Sequence, residues 1–105
     1  MAKEEELSIE EKISRLRMPH DDEVLGVVEK TLGSGHLKVR CRDGYTRTVR
    51  IPGRMKKRIW IREGDIIIVE PWQVQSDEKG DVAYRYTQNQ SRLLAKKGVW
   101  TEETK

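Results

Sequence analysis

Apolar and polar residues alternate in short runs through the middle of the chain, which is typical of β-strands that are buried on one side. Runs rich in Gly, Asp or Pro separate these segments, as expected for turns. The five predicted strands span residues 23–32, 36–42, 45–51, 64–72 and 82–87. A short helix is predicted over residues 88–98, with a cap near Asn89 and an end at Gly98.

The second and third strands are predicted to form a hairpin whose register follows from its side-chain pattern. A two-residue Asp-Gly turn would place apolar side chains opposite polar ones, although directly opposite residues share one face of a sheet. A three-residue loop over 43–45 avoids this conflict, and we predict that loop, with a bulge. The pairs would then be Val39 with Val49, Leu37 with Ile51, Lys38 with Arg50, Arg40 with Thr48, and Arg42 with Thr46.

Together these elements predict an all-β fold, a five-stranded OB-fold barrel with a short C-terminal helix and a flexible N-terminal tail. We expect residues 1–22 to form a flexible or weakly helical tail and residues 23–87 to form the barrel. The helix over 88–98 would pack on the barrel, and residues 99–105 would be frayed. In OB-folds, the face of strands two and three and its flanking loops bind oligonucleotides.

The distribution of charge supports a polyanionic partner. The chain has a net charge of only +3, but residues 36–62 hold ten Lys or Arg residues against one acid, Asp43. An isolated basic run is most often a solvated surface. A local charge of +9, partly aligned by strand pairing, departs from the mixed-sign surface of an ordinary soluble domain. Contacts with nucleic-acid phosphates explain it better.

The segment PGRMKKRIWIREGD, residues 52–65, contributes much of this charge. Met55 is predicted to anchor the segment to the barrel. In an extended chain, Ile59 and Ile61 would share one face and Trp60 would lie on the other. Trp60 would then be exposed for stacking on a base or ribose, although it could instead plug one end of the barrel. The candidate RNA-binding residues are Lys38, Arg40, Arg42, Arg50, Arg54, Lys56, Lys57, Arg58, Trp60 and Arg62.

Other functions find less support in the sequence. No nucleophile–base pair can be assembled, so we expect no enzyme, no cofactor and no small-molecule substrate. His20 and His36 lack the spacing of a zinc site, and Cys41 is predicted to be a buried thiol. No apolar stretch approaches the roughly 20 residues that span a membrane. A single cysteine suits a reducing compartment, so we expect a cytoplasmic protein without membrane contact.

Three stretches are similar to the archaeal and eukaryotic translation initiation factor 1A family. They read MPHDDEVLGVVEKTLGSGHLKVRCRDG, RIPGRMKKRIWIREGDIIIVEPW, and VAYRYT followed by SRLLAKKG, within residues 18–98. GRMKKRIWIREGD also resembles a loop of bacterial initiation factor one. The resemblance implies an OB-fold protein that contacts ribosomal RNA at the A site of the small ribosomal subunit. The rRNA-facing residues it implies are Arg54, Lys56, Lys57, Arg58 and Trp60, supported by Arg40.

By the same resemblance, the protein would block premature entry into the A site and assist initiator tRNA placement and start-codon selection with other initiation factors. An alternative is a general single-stranded RNA-binding protein of the cold-shock type, which needs several aromatic residues on strands two and three. Strand two has none, and strand three offers only Tyr45. A third possibility, an OB module that binds protein, predicts an exposed apolar patch instead of a basic segment.

Overall fold

The computed structural model describes residues 9–56 and 60–97 of the chain. Five strands form a closed barrel in the order β1-β2-β3-β5-β4, which confirms the predicted architecture. They are β1 (Val24–Gly33), β2 (His36–Cys41), β3 (Thr46–Arg50), β4 (Ile66–Pro71) and β5 (Lys79–Arg85). Among the described residues, the helices are α1 (Ile9–Ser14), α2 (Gly53–Lys56) and α3 (Gln88–Lys97).

Side chains that point into the barrel form its interior core. Because successive side chains on a strand point to opposite faces, each strand supplies alternate residues to this core. On β2 these are Leu37, Val39 and Cys41, all of them buried as predicted. The interior cluster comprises Val28, Leu37, Val39, Cys41, Val49, Ile61, Ile67, Val69 and Val82.

A second apolar cluster lies outside the barrel, on the face formed by β1, β4 and β5. Its members are Leu16, Leu25, Val27, Ile66, Ile68, Tyr86 and Leu94. Leu94 comes from α3 and Leu16 from the segment after α1, so these two elements cover that face. Ile66 to Val69 are all buried because β4 faces the interior on one side and this outer cluster on the other.

The β2–β3 hairpin has a register that differs from the predicted one. Leu37 lies opposite Val49 and Val39 opposite Arg47, so the predicted pairing of Val39 with Val49 is wrong. The loop does contain three residues, but they are 42–44, because the Cys41 N–H donates to the Tyr45 carbonyl oxygen at 2.8 Å. The last residue of such a loop adopts the left-handed conformation, and Gly44 occupies it with φ of +98°.

The shift changes the partners on the outer face and moves Arg42 out of the strand into the loop. Lys38 pairs with Thr48, Arg40 with Thr46, and Arg50 with His36. The predicted pairs Lys38–Arg50, Arg40–Thr48, Arg42–Thr46 and Leu37–Ile51 are therefore wrong, and Arg42 lies in the loop. Since the register moved by two residues, every side chain that remains in the two strands keeps its predicted side of the sheet.

Strand β5 begins at Lys79, three residues before its predicted start at Val82. Its first residues pair in parallel with β3, Thr48 with Lys79 and Arg50 with Asp81. This pairing closes the barrel. It also places a polar strand segment at the edge of the basic face.

Candidate nucleic-acid interface

The outer face of β2 and β3 carries polar and basic side chains, in contrast to the covered face across the barrel. Lys38 on β2 and Thr46 on β3 are exposed. Arg40 pairs with Glu29 of β1, with 2.6 Å between Nη1 and Oε2. Arg50 pairs with Asp81 of β5 through two hydrogen bonds of 3.2 and 3.1 Å. The face is therefore basic, with its flanking arginines held by acids of neighbouring strands.

Four of the predicted site residues are exposed and form no ion pair with any described residue: Lys38, Arg42, Arg54 and Arg62. Their charges are available to an anion. The pairs made by Arg40 and Arg50 are solvent-accessible, and such pairs contribute only about 0–1 kcal/mol. A phosphate could displace the Glu29 carboxylate from Arg40 at low cost, whereas Asp81 is also held by the Trp72 Nε1–H.

Arg47 is one of the ten cations counted in the basic segment, yet its side chain is only 3% exposed. It donates from Nη1 and Nη2 to the two carboxylate oxygens of Asp43 at 3.0 and 2.9 Å. It also donates from Nε to the Ser76 carbonyl oxygen at 2.6 Å. Arg47 thus joins the β2–β3 loop to the β4–β5 loop. Two features of the sequence could have indicated this role. Arg47 lies two residues before Val49 and so shares its inward side of the strand, and Asp43, the single acid of the basic segment, lies four residues before Arg47.

The pKa values of Asp43 and Arg47 are shifted in the directions that their hydrogen bonds favour. Burial acts to raise the pKa of the Asp43 carboxyl, but hydrogen bonds from Arg47 and from the Tyr45 N–H outweigh it, so the pKa lies below its usual value. Burial acts to lower the pKa of Arg47, and Asp43 reverses that effect. Asp43 therefore stays ionised, and Arg47 serves the structure of the loops.

The segment over residues 52–65, here called the basic loop, follows β3 and begins with the single turn α2. The Met55 N–H donates to the Pro52 carbonyl oxygen at 2.9 Å, and its side chain packs on the interior cluster. Met55 is thus the apolar anchor that the sequence predicted. Lys57, Arg58 and Ile59 lie outside the described residues, as does the side chain of Lys56.

Trp60 is 76% exposed, whereas the next residue, Ile61, is 9% exposed and belongs to the interior cluster. Of the two arrangements considered for Trp60, the structure has the exposed one. The Arg62 N–H donates to Asp65 Oδ2 at 2.9 Å, and the Gly64 N–H donates to the Val28 carbonyl oxygen at 2.8 Å. These bonds fix the chain that follows Trp60 onto β1.

An open groove of about 580 Å³ lies beside Trp60. Leu37, Ile51 and Ile61 give it apolar surface, and His36 and Arg62 supply polar groups. An exposed indole, apolar walls and a nearby cation suit a planar aromatic ring joined to a phosphate.

His20, Asp22 and Glu23 are the described residues that bring three potential metal ligands together, within 4.8 Å of one another. The Glu23 carboxylate already accepts hydrogen bonds from Arg17 at 2.9 and 3.1 Å and from the His20 N–H at 2.9 Å. Its pKa is lowered chiefly by the Arg17 bond. Glu23 therefore forms a structural ion pair with Arg17. Within residues 9–56 and 60–97, no helix has the length and apolarity needed to cross a membrane.

Comparison with known proteins identifies the family of this chain. The family model described as translation initiation factor 1A / IF-1 matches residues 13–105. Translation initiation factor 1A of Methanothermobacter thermautotrophicus is 54% identical over 88 residues, covering 84% of this chain and 89% of that protein. The corresponding factor of Pyrococcus abyssi is 48% identical over 103 residues, covering 98% of this chain and 91% of that protein.

The solution structure of bacterial translation initiation factor one from a Wolbachia endosymbiont of Brugia malayi has a similar fold. It superposes with a TM-score of 0.50 at 23% identity, covering 70% of this chain and 86% of that one. This likeness supports the OB-fold assignment of the barrel. With the family model spanning most of its length and relatives near half identity, the chain belongs to the translation initiation factor 1A / IF-1 family.

Proposed function

We propose that this protein binds ribosomal RNA at the A site of the small ribosomal subunit, as a non-catalytic cytoplasmic factor. There it assists initiator tRNA placement and start-codon selection together with other initiation factors. The observation that carries the proposal is a barrel face that no described element covers, with basic side chains that pair with no described residue, together with the exposed Trp60 and its groove. Family membership supplies the ribosomal setting.

Phosphate contacts would provide most of the affinity. Lys38, Arg42, Arg54 and Arg62 are exposed on this side of the chain without ion-pair partners among the described residues. We propose that Lys56, Lys57 and Arg58 of the basic loop add to them. With about 0.7 counterions released per contact, five to seven phosphate contacts give a log–log salt dependence of roughly −4 to −5.

A rigid scaffold would convert these contacts into recognition of one RNA shape. Met55 anchors the basic loop to the interior core, and Ile61 anchors the chain after Trp60. Arg47 joins two loops at the other end of the hairpin. Because these loops are held in the free protein, little ordering entropy is lost on binding.

General binding of single-stranded RNA is the alternative function, and the exposure of Trp60 and Tyr45 favours it. Strand β2, however, carries no aromatic residue, and Tyr45 precedes β3 in the loop region. Sequence-tolerant binders use several aromatic residues along the sheet. The face seen here suits phosphate contacts better than serial base stacking.

Sedimentation with purified small ribosomal subunits tests the proposal at two salt concentrations, with a generic single-stranded RNA as competitor. The test variant is Lys56→Ala/Lys57→Ala/Arg58→Ala. A matched control removes three exposed charges from the helices, as Lys12→Ala/Arg92→Ala/Lys96→Ala. We expect saturable binding of the wild type and the control, loss of binding by the test variant, and little effect of the competitor.

Other results would contradict the proposal. If generic RNA removes the protein from the subunits equally well, the protein is a general RNA binder. If the control loses as much binding as the test variant, net charge explains the interaction. Normal binding by the test variant would show that the basic loop is only solvated surface.

A further inference from the structure

Arg50, Trp72 and Asp81 form a connected group at the edge of the open face, where β3 pairs with β5. Asp81 Oδ1 accepts hydrogen bonds from Arg50 Nε at 3.2 Å and from Trp72 Nε1 at 3.0 Å. Its Oδ2 accepts one from Arg50 Nη2 at 3.1 Å. The guanidinium carbon of Arg50 lies over the Trp72 ring, 5.5 Å from its centroid. One carboxylate therefore holds both flat groups in a fixed relation.

The exposure of these groups shows what remains for a ligand. The Arg50 side chain is 51% exposed although Asp81 occupies one edge of its guanidinium and Trp72 covers one side. Asp81 itself is only 26% exposed. Because Nε and Nη2 bond Asp81 and Trp72 lies on one side, the opposite side of the guanidinium and Nη1 are the parts without a contact to these two residues.

We infer that Arg50 and Trp72 form a stacking site for an unpaired RNA base, with Asp81 as the positioning residue. This inference rests on the proposed function and adds a second base-binding position to that of Trp60. A base would stack on the outer side of the Arg50 guanidinium, in the way that arginine planes bind bases in single-stranded RNA. Nη1, which has no hydrogen-bond partner among the described residues, would donate to the edge of the base or to its ribose.

The charge at this position favours a base over a phosphate. Asp81 neutralises Arg50, so a phosphate arriving there would also approach a carboxylate. Lys38 has no such partner among the described residues. Arg50 therefore offers a flat surface on which a base can stack, whereas Lys38, on the same face, offers a positive charge to a phosphate.

The neighbours of Arg50 leave room for this ligand. Across the strand pair lies His36, which also lines the groove beside Trp60. The outward residue two positions earlier on β3 is Thr48, whose side chain is short. A series of flat groups thus crosses the barrel in the order Trp60, His36, Arg50 and Trp72. Such a series suits successive nucleotides of one RNA strand.

Conservative variants separate stacking from charge. Arg50→Lys keeps the positive charge but removes the plane and the two-point pairing with Asp81. Binding to purified small ribosomal subunits is measured over a range of salt concentrations for wild type, Arg50→Lys, Arg50→Ala and Lys38→Ala. Arg92→Lys on α3 is the matched control. Thermal unfolding of each variant shows whether the fold is retained.

We expect Arg50→Lys to weaken binding about tenfold, the size of one stacked base, without changing the slope against salt. Lys38→Ala should reduce the magnitude of the slope by about 0.7, as the loss of one phosphate contact does. Arg92→Lys should bind like the wild type. A second variant, Trp72→Leu, should weaken binding to a similar extent because Arg50 loses its support.

Opposite results overturn the inference while leaving the proposed function intact. If Arg50→Lys binds like the wild type and Arg50→Ala reduces the slope, Arg50 is a phosphate contact. If Arg50→Lys and Arg50→Ala both bind like the wild type, Arg50 lies outside the interface. Failure of the wild type to bind subunits at all contradicts the proposed function itself.

Discussion

The hydroxyl of Tyr86, just after β5, donates a hydrogen bond to the backbone carbonyl oxygen of Arg17. This bond ties the segment before the barrel to the cluster that covers one barrel face. Leu16 is buried in that cluster beside Tyr86, and Arg17 pairs with Glu23 at the start of β1. The barrel thus uses part of the preceding segment as a cover for its outer apolar surface.

Replacing Tyr86 by Phe should lower the free energy of unfolding by about 1 kcal/mol, because the Arg17 carbonyl loses its donor while the ring packing remains. Denaturation in urea measures the change. Binding to ribosomal subunits should be unaffected, since Tyr86 lies on the covered face. An unchanged unfolding midpoint would show that this bond is not stabilising.

Tyr86 should also limit stability at high pH. Burial raises its pKa to about 12, from a usual value of 10.0. The unfolded chain therefore loses this proton at lower pH than the folded protein does, so the free energy of unfolding should fall between about pH 10 and 12. Tyr86→Phe removes this part of the pH dependence. Unfolding midpoints of the wild type and Tyr86→Phe are measured through that pH range. Equal slopes against pH would show that the Tyr86 hydroxyl ionises at its usual pKa.

Glu23 should contribute the opposite pH dependence. The hydrogen bond from Arg17 is the main cause that lowers its pKa below the usual 4.5. Stability from this pair is therefore complete above about pH 4.5 and is lost as the pH falls through the lower folded-state pKa. Glu23→Gln should reduce stability at neutral pH and flatten the acid limb of the curve. Asp22→Asn, at the exposed neighbour, provides the control.

Arg47→Met should destabilise the protein by about 2 kcal/mol, because Asp43 and the Ser76 carbonyl oxygen lose their donors. Arg47→Lys should recover only part of this loss, since an ammonium group cannot make the same two-point contact. Chemical denaturation compares the variants. Equal stability of Arg47→Met and the wild type would contradict the role of Arg47 as the link between the loops.

Trp60→Ala should weaken RNA binding by roughly 1–3 kcal/mol, the contribution of one stacked base, and leave thermal stability nearly unchanged. Trp60 is 76% exposed, so its removal uncovers little of the core. Val74, which is 74% exposed in the β4–β5 loop, offers a matched control as Val74→Ala. A marked loss of stability, or equal binding by both variants, would show that Trp60 is not a stacking residue.

The strand pattern and the two faces of the hairpin could be predicted because burial imposes a period of two on each strand. The register could not, since it depends on Gly44 at the end of the loop, whereas the hydrophobic pattern favours pairing Val39 with Val49 over pairing it with Arg47. Arg47 was missed for a related reason: an arginine is expected outside unless an acid meets it inside. The early start of β5 was hidden because its first three residues, Lys79, Gly80 and Asp81, carry no apolar side chain.

The candidate site likewise has features that the sequence could predict and features that it could not. The anchoring of Met55 could be predicted locally, from one apolar residue among charged neighbours, whereas the sequence left the exposure of Trp60 open. The pairing of Arg40 with Glu29 and of Arg50 with Asp81 joins strands that are distant in sequence. Such contacts appear only once the strand order is known, so the sequence overstated the free charge on this face.

Helices α1 and α3 contact each other, and the residues around them cover the face made by β1, β4 and β5. Both described ends of the chain therefore lie away from the basic hairpin. A fluorophore or a surface linker attached through Lys12 or Lys96, which are exposed on these helices, would leave Lys38 and Trp60 accessible. The fold thus provides attachment points for single-molecule measurements that keep the candidate interface open.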